Sequence, residues 1–187
     1  MSQARFKYKL ALKILMLFIF IAPVFWIVLD PAGQRWADVT LLRVLGNPPM
    51  KLDFAGLTGN ESVDDITKIY ADLEIQCDDP KRVALNQVCG AGIASVNQLP
   101  ARDVIFYFQD GRLNRIKLTY RAAYHEELYA QLAKVYGTPV KNQSGGGLES
   151  AVVQWRTGPG MVIMKAVVSK KGDNQLFWVT PGYEASN

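Results

Sequence analysis

Twenty residues near the start of the chain decide which solvent everything after them meets. Residues 10–29 read Leu-Ala-Leu-Lys-Ile-Leu-Met-Leu-Phe-Ile-Phe-Ile-Ala-Pro-Val-Phe-Trp-Ile-Val-Leu, and from Ile14 onward no side chain is charged or strongly polar. At about 1.5 Å per residue a helix of this length covers roughly 30 Å, the hydrocarbon thickness of a bilayer. Lys13 stands close enough to one end for its stem to carry the ammonium out to the headgroups. Pro23 would weaken a helix in water, but spans tolerate it because neighbouring groups satisfy the freed carbonyl. The stretch predicts a transmembrane helix that contacts the lipid bilayer through residues 10–29.

Charge gives the span a direction. Arg5, Lys7, Lys9 and Lys13 precede or enter it, and residues 1–29 contain no Asp or Glu. Cations of this kind stay cytoplasmic, so the rest of the chain is expected outside, in the periplasm or extracellular space. Removing those four from the 21 Lys and Arg leaves 17, against 17 Asp and Glu, so residues 30–187 are formally neutral. A nucleic-acid partner calls for excess positive charge on the folded domain and is not expected. A cleaved signal peptide is the competing reading. The apolar run exceeds the usual 7–15 or so residues, and Asp30-Pro31-Ala32-Gly33 makes a poor cleavage site, so an uncleaved anchor is favoured.

Beyond the anchor there is room for one domain. The boundaries expected are a basic cytoplasmic tail at 1–9, the span at 10–29, a juxtamembrane helix and linker at 30–49, an extracytoplasmic domain at 50–183 and a tail at 184–187. Residues 34–45 space Trp36, Val39, Leu42 and Leu45 helically, and Gly46 with Pro48-Pro49 ends the run. This helix either lies on the outer leaflet with Trp36 at headgroup depth or packs on the domain core, and its weakly cationic polar face favours the core. Ser62 and Asp65 resemble a capping pair for a helix carrying Val63, Ile66, Ile69, Tyr70 and Leu73 on one face. A third helix is expected over 124–136, closed by Gly137 and Pro139.

The clearest local signal is a hairpin. Residues 104–109 and 112–120 flank Asp110-Gly111, a pair suited to a type I′ turn. Leu113 is out of phase with Ile116, Leu118 and Tyr120, which implies a bulge near Asn114. Three further strands are expected over 150–156, 161–169 and 175–180, with a glycine-rich loop at 142–147. Together these give an α+β domain, an antiparallel sheet of about five strands packed by helices on one face.

Cys77 and Cys89 are the only cysteines, and in an exported domain they read as one disulfide. Metal binding would need more ligands, and dithiol redox sites place their cysteines closer together. His125 is the sole histidine, expected solvated or capping at a helix start. Asp64-Asp65 and Asp78-Asp79 lack the spacing of a calcium loop and read as solvated surface. No catalytic residue, metal site or cofactor is expected. A sheet covered on one side leaves a second face, on which Tyr107, Arg115, Lys117, Arg156 and Lys165 form either a mixture suited to a protein interface or simply a half-solvated sheet surface. The reading is a membrane-anchored, non-catalytic module that binds a protein partner in the cell envelope. The alternative is a membrane-anchored periplasmic enzyme with an unrecognised site.

Overall fold

Positive φ at both central residues, Asp110 (52°) and Gly111 (76°), folds the chain back on itself and joins two long antiparallel strands. These are β5 (Leu99–Gln109) and β6 (Arg112–Arg121), the middle of the domain. The computed structural model describes residues 2–78, 86–142, 151–168 and 172–180. The glycine-rich loop expected at 142–147 falls outside these residues beyond 142, as do Asp79 and the tail after Thr180.

Two compact units make up the chain, Met1–Leu41 and Leu42–Asn187. In the first, helix α1 (Ser2–Leu29) includes an apolar stretch, Leu12–Leu29, long and apolar enough to cross a membrane. Helix α2 (Pro31–Val44) follows after one residue. Asp30 is its N-cap: Oδ1 accepts from the amides of Ala32 at 2.8 Å and Gly33 at 3.1 Å, and Pro31 fills the first helical position. Gly33 sits so close to the Trp26 carbonyl that a Cβ there would collide with it. The Trp26 and Trp36 rings lie 6.1 Å apart across the same corner. The helix expected over 34–45 is present and begins earlier, at Pro31. Trp36, Leu41 and Val44 remain exposed, and Gly33 is the helix's one buried residue.

The domain's sheet has ten strands among the described residues, where about five were expected, and it is mixed rather than wholly antiparallel. The main ladder runs β2 (Gln76–Cys77), β3 (Asn86–Gly92), β5, β6, β10 (Asp173–Val179), β9 (Gly160–Lys165), β8 (Val152–Thr157) and β7 (Val140–Asn142), every pair antiparallel. Two short strands, β1 (Pro49–Met50) and β4 (Ser95–Val96), pair parallel and extend the start of β5. The five unexpected strands carry little sequence signal. Three of them have only two residues, β7 has three, and β3 is built from Asn-Gln-Val-Cys-Gly-Ala-Gly, poor in the branched and aromatic residues that mark strands.

Helix α3 (Val63–Ile69) opens with the expected capping box: Ser62 accepts from the Asp65 amide and the Asp65 carboxylate accepts from the Ser62 amide. It is shorter than expected because Tyr70 leaves the helix at φ −115°, ψ 51° and stacks its ring 5.8 Å from that of Phe106. Helix α4 (His125–Tyr136) ends where Gly137 takes φ 82° and returns its amide to the Ala133 carbonyl. Both helices cover one side of the sheet. Ile66, Leu128 and Leu132 join Phe106, Phe108, Ile116, Leu118, Trp155 and Trp178 in one buried cluster.

The order of elements repeats. Helix α3 is followed by β2, β3, β5 and β6, helix α4 by β7, β8, β9 and β10, and the last strands of the two sets pair antiparallel at the centre, leaving β2 and β7 at the edges. The domain is thus two sets of a helix and four main-ladder strands, with the short β4 inserted in the first, that meet at β6 and β10.

Candidate docking face

Strand alternation sends every second side chain away from the helices. In β6 the outward set is Arg115, Lys117 and Thr119; in β5 it is Asp103, Ile105 and Tyr107; in β10, Gln175 and Phe177. Registers align these into rows across the sheet. One row runs Gly90, Ile105, Lys117, Phe177, Ile163, Gln154. The next runs Val88, Tyr107, Arg115, Val179, Met161, Arg156. Lys165 lies opposite Val152 at one side of the same surface. All five residues singled out from the sequence, Tyr107, Arg115, Lys117, Arg156 and Lys165, therefore share one face. Tyr107, Arg115 and Lys117 are half-buried, and Arg156 and Lys165 are exposed.

The bulge expected near Asn114 sets this arrangement. Pairing steps from Tyr107–Arg115 to Phe108–Leu113, so Asn114 is the extra residue. It lets Leu113 and Ile116 both point into the core while Arg115 emerges opposite Tyr107. The Arg115 guanidinium then lies 3.9 Å from the centre of the Tyr107 ring and 5.9 Å from that of Phe177. Attraction between the cation and the ring quadrupoles holds that long side chain flat on the sheet. Val179, only 4% exposed, fills the row between Arg115 and Met161.

Alternation along β5 already put Ile105 beside Tyr107, but sequence reasoning missed the other apolar members of this face: Met161, Ile163 and Phe177. The signal was present, since apolar residues fill both phases of β5 and β9, but without the register they could not be assigned to one surface. It also missed how charge is divided. The segments on the helix side, residues 51–74 and 125–136, hold Asp53, Glu61, Asp64, Asp65, Asp72, Glu74, Glu126 and Glu127 against Lys51, Lys68 and Lys134. On the open face Arg115, Lys117, Arg156 and Lys165 meet one central carboxylate, Asp103, which accepts from the Thr119 hydroxyl at 2.8 Å. Arg121 and Asp173 oppose each other at its end, where Asp173 also pairs with Arg102. The acid-rich segments bearing α3 and α4 and the four cations of the open face thus lie on opposite sides of the sheet.

The remaining candidates have structural places. Cys77 and Cys89 are disulfide-bonded, directly opposite one another in the β2–β3 ladder with Cα atoms 3.9 Å apart. His125, expected solvated or capping, is buried at 3% exposure. Its Nδ1 lies 2.8 Å from the Tyr120 hydroxyl. Burial lowers its pKa against smaller opposing effects of the Ala166 backbone and Glu126, and burial raises that of Tyr120. Asp65 is used by its capping box, whose hydrogen bonds from Ser62 lower its pKa. Among the described residues no group of three His, Cys, Asp or Glu is placed to hold a metal ion. No protein-family model, curated protein or solved structure matches this chain.

Proposed function

We propose that this chain is a membrane-anchored, non-catalytic interaction module. Residues 10–29 span the inner (plasma) membrane with the N-terminus cytoplasmic, and the domain docks a protein partner in the envelope through the open face of its sheet. The observation that carries this reading is the composition of that face: half-buried Ile105, Tyr107, Ile163 and Phe177 lie between cations, on the side of the sheet away from α3 and α4. Aromatic and arginine side chains gathered at the centre of a surface, with solvated charges around them, are what protein interfaces use as anchors and rim. The disulfide supports an oxidising compartment, and Arg5, Lys7, Lys9 and Lys13 support the orientation.

Crosslinking in intact membranes followed by purification of the full chain tests it. Tyr107→Ala combined with Ile163→Ser removes two apolar anchors without opening the core, and is expected to lose the crosslinked partner while the folded chain accumulates normally. Retention of the same partner at the same yield would exclude the open face as the docking surface.

A further inference from the structure

Charge segregation says more about the occupant than exposure alone. Residues 30–187 as a whole are formally neutral, yet on the face away from α3 and α4 Arg115, Lys117, Arg156 and Lys165 meet one central carboxylate, while the segments bearing α3 and α4 hold eight carboxylates against three lysines. Like charges held together on one face repel, and that cost is relieved when an oppositely charged surface covers them. The cations also surround apolar ground. Lys117 sits between Ile105 and Phe177 in its row, Lys165 opposite Val152, and Arg156 opposite Met161.

We infer that the open face takes an acidic protein segment, one that sets Asp or Glu side chains against Lys117, Arg156 and Lys165 and apolar side chains against Ile105, Ile163 and Phe177. This rests on the docking reading above and names the chemistry of the partner. A lipid surface fits less well. The apolar residues lie in the plane of a sheet rather than at the tip of a loop, and Arg115 is laid flat on Tyr107 instead of reaching outward. A second copy of the chain using the same face would set cation against cation. Within an acidic segment the carboxylates fix register and orientation, while burial of Tyr107, Phe177 and Ile163 supplies most of the affinity.

The test uses the full chain in its native membranes, with Ile163 replaced by the photocrosslinking residue p-benzoylphenylalanine and, as a control, Lys68 on the helix side replaced in the same way. Adducts are mapped by mass spectrometry to the residues joined. The expected result is an adduct at position 163, absent at position 68, on a protein segment with a clear excess of Asp and Glu. Its yield should fall at least fivefold when Lys117→Glu and Lys165→Glu are added, and stay unchanged with Lys134→Glu. An unaltered melting midpoint in detergent shows that the reversed variant is folded. A protein adduct on a segment without acidic excess, an adduct on lipid, or one on another copy of this chain overturns the inference. The first of these leaves the docking function standing. No adduct at position 163 above the position-68 control overturns both.

Discussion

The imidazole of His125 has exchanged water for the Tyr120 hydroxyl, 2.8 Å away, and the Ala166 backbone. Burial is the largest influence on its pKa and lowers it below 6.5, so the folded chain holds the ring neutral where the unfolded chain binds a proton. The sign follows: this residue does not oppose folding above about pH 6.5, and stability declines as pH falls from there until it passes the lower folded pKa. His125→Phe should abolish that part of the acid dependence. It should also lower stability at about pH 7.5 by about 1–3 kcal/mol, because the buried Tyr120 hydroxyl loses its partner. Denaturant midpoints of both proteins at about pH 7.5 and about pH 5 measure the two effects. A mutant with the parent's acid dependence would show that another group causes it. From sequence this histidine was legible only as the first residue of a helix; its burial follows from β6 carrying Tyr120 beneath that helix start, a contact no local pattern encodes.

At the level of elements, the β5–β6 hairpin and α4 form the best-defined part of the core. Phe106, Phe108, Ile116, Leu118, Leu128 and Leu132 are all buried in one cluster. Phe106→Ala should cost about 3–5 kcal/mol and Leu132→Ala about 2–5 kcal/mol. On the other face Lys117→Ala should change stability by less than about 0.5 kcal/mol. Tyr107→Ala should cost about 0.5–1 kcal/mol, for its lost stacking with Arg115. Chemical unfolding of the four variants checks the contrast, and equal losses on both faces would refute the division of the sheet. The same elements show where the sequence was readable. Asp110-Gly111, the Ser62–Asp65 box, Gly137 and the out-of-phase Leu113 each impose a local backbone requirement, and each appears in the fold as expected. Edge strands impose none. Gln76–Cys77 and Ser95–Val96 are strands only because a longer neighbour offers them a ladder. The turn between β4 and β5 was hidden for another reason: Asn97 and Gln98 take φ of 47° and 73° without a glycine, while the Asn97 side chain clamps Leu52 by accepting from its amide at 3.0 Å and donating to its carbonyl at 2.8 Å. The candidate docking face was half legible. Its cations and Tyr107 were found by alternation along single strands, whereas its apolar rows and the opposing acidic side exist only once ten strands are set in register.

For the molecule as a whole, compartment and orientation are linked through two independent features. The Cys77–Cys89 bridge closes a short loop at the edge of the ladder, with twelve residues of separation. In the chain-entropy model such a loop stabilises by about 3 kcal/mol, so reduction should lower the unfolding free energy by about that amount if the bond forms in the cell. Protein from its own membranes should yield no free thiol at either position before reduction. The N-terminal cations make the second feature. Positive charge before a single apolar helix is retained on the cytoplasmic side, and the four here are unopposed by any acidic residue through position 29. The proposed topology therefore delivers Asn187 to the oxidising side, where the bridge forms. A fusion at Asn187 to a reporter active only outside the cytoplasm should be active, and the same reporter joined before residue 10 should be silent. Neutralising Arg5, Lys7, Lys9 and Lys13 together should produce a mixed population, part of it with the domain inside. Because the cytosol keeps thiols reduced, that inverted fraction should carry free Cys77 and Cys89 while the rest stays bridged. Thiol labelling and reporter activity must then divide the population in the same proportion. If all chains remained bridged while the reporter showed inversion, the disulfide would not report compartment; if all stayed outward, the cations would not set the orientation.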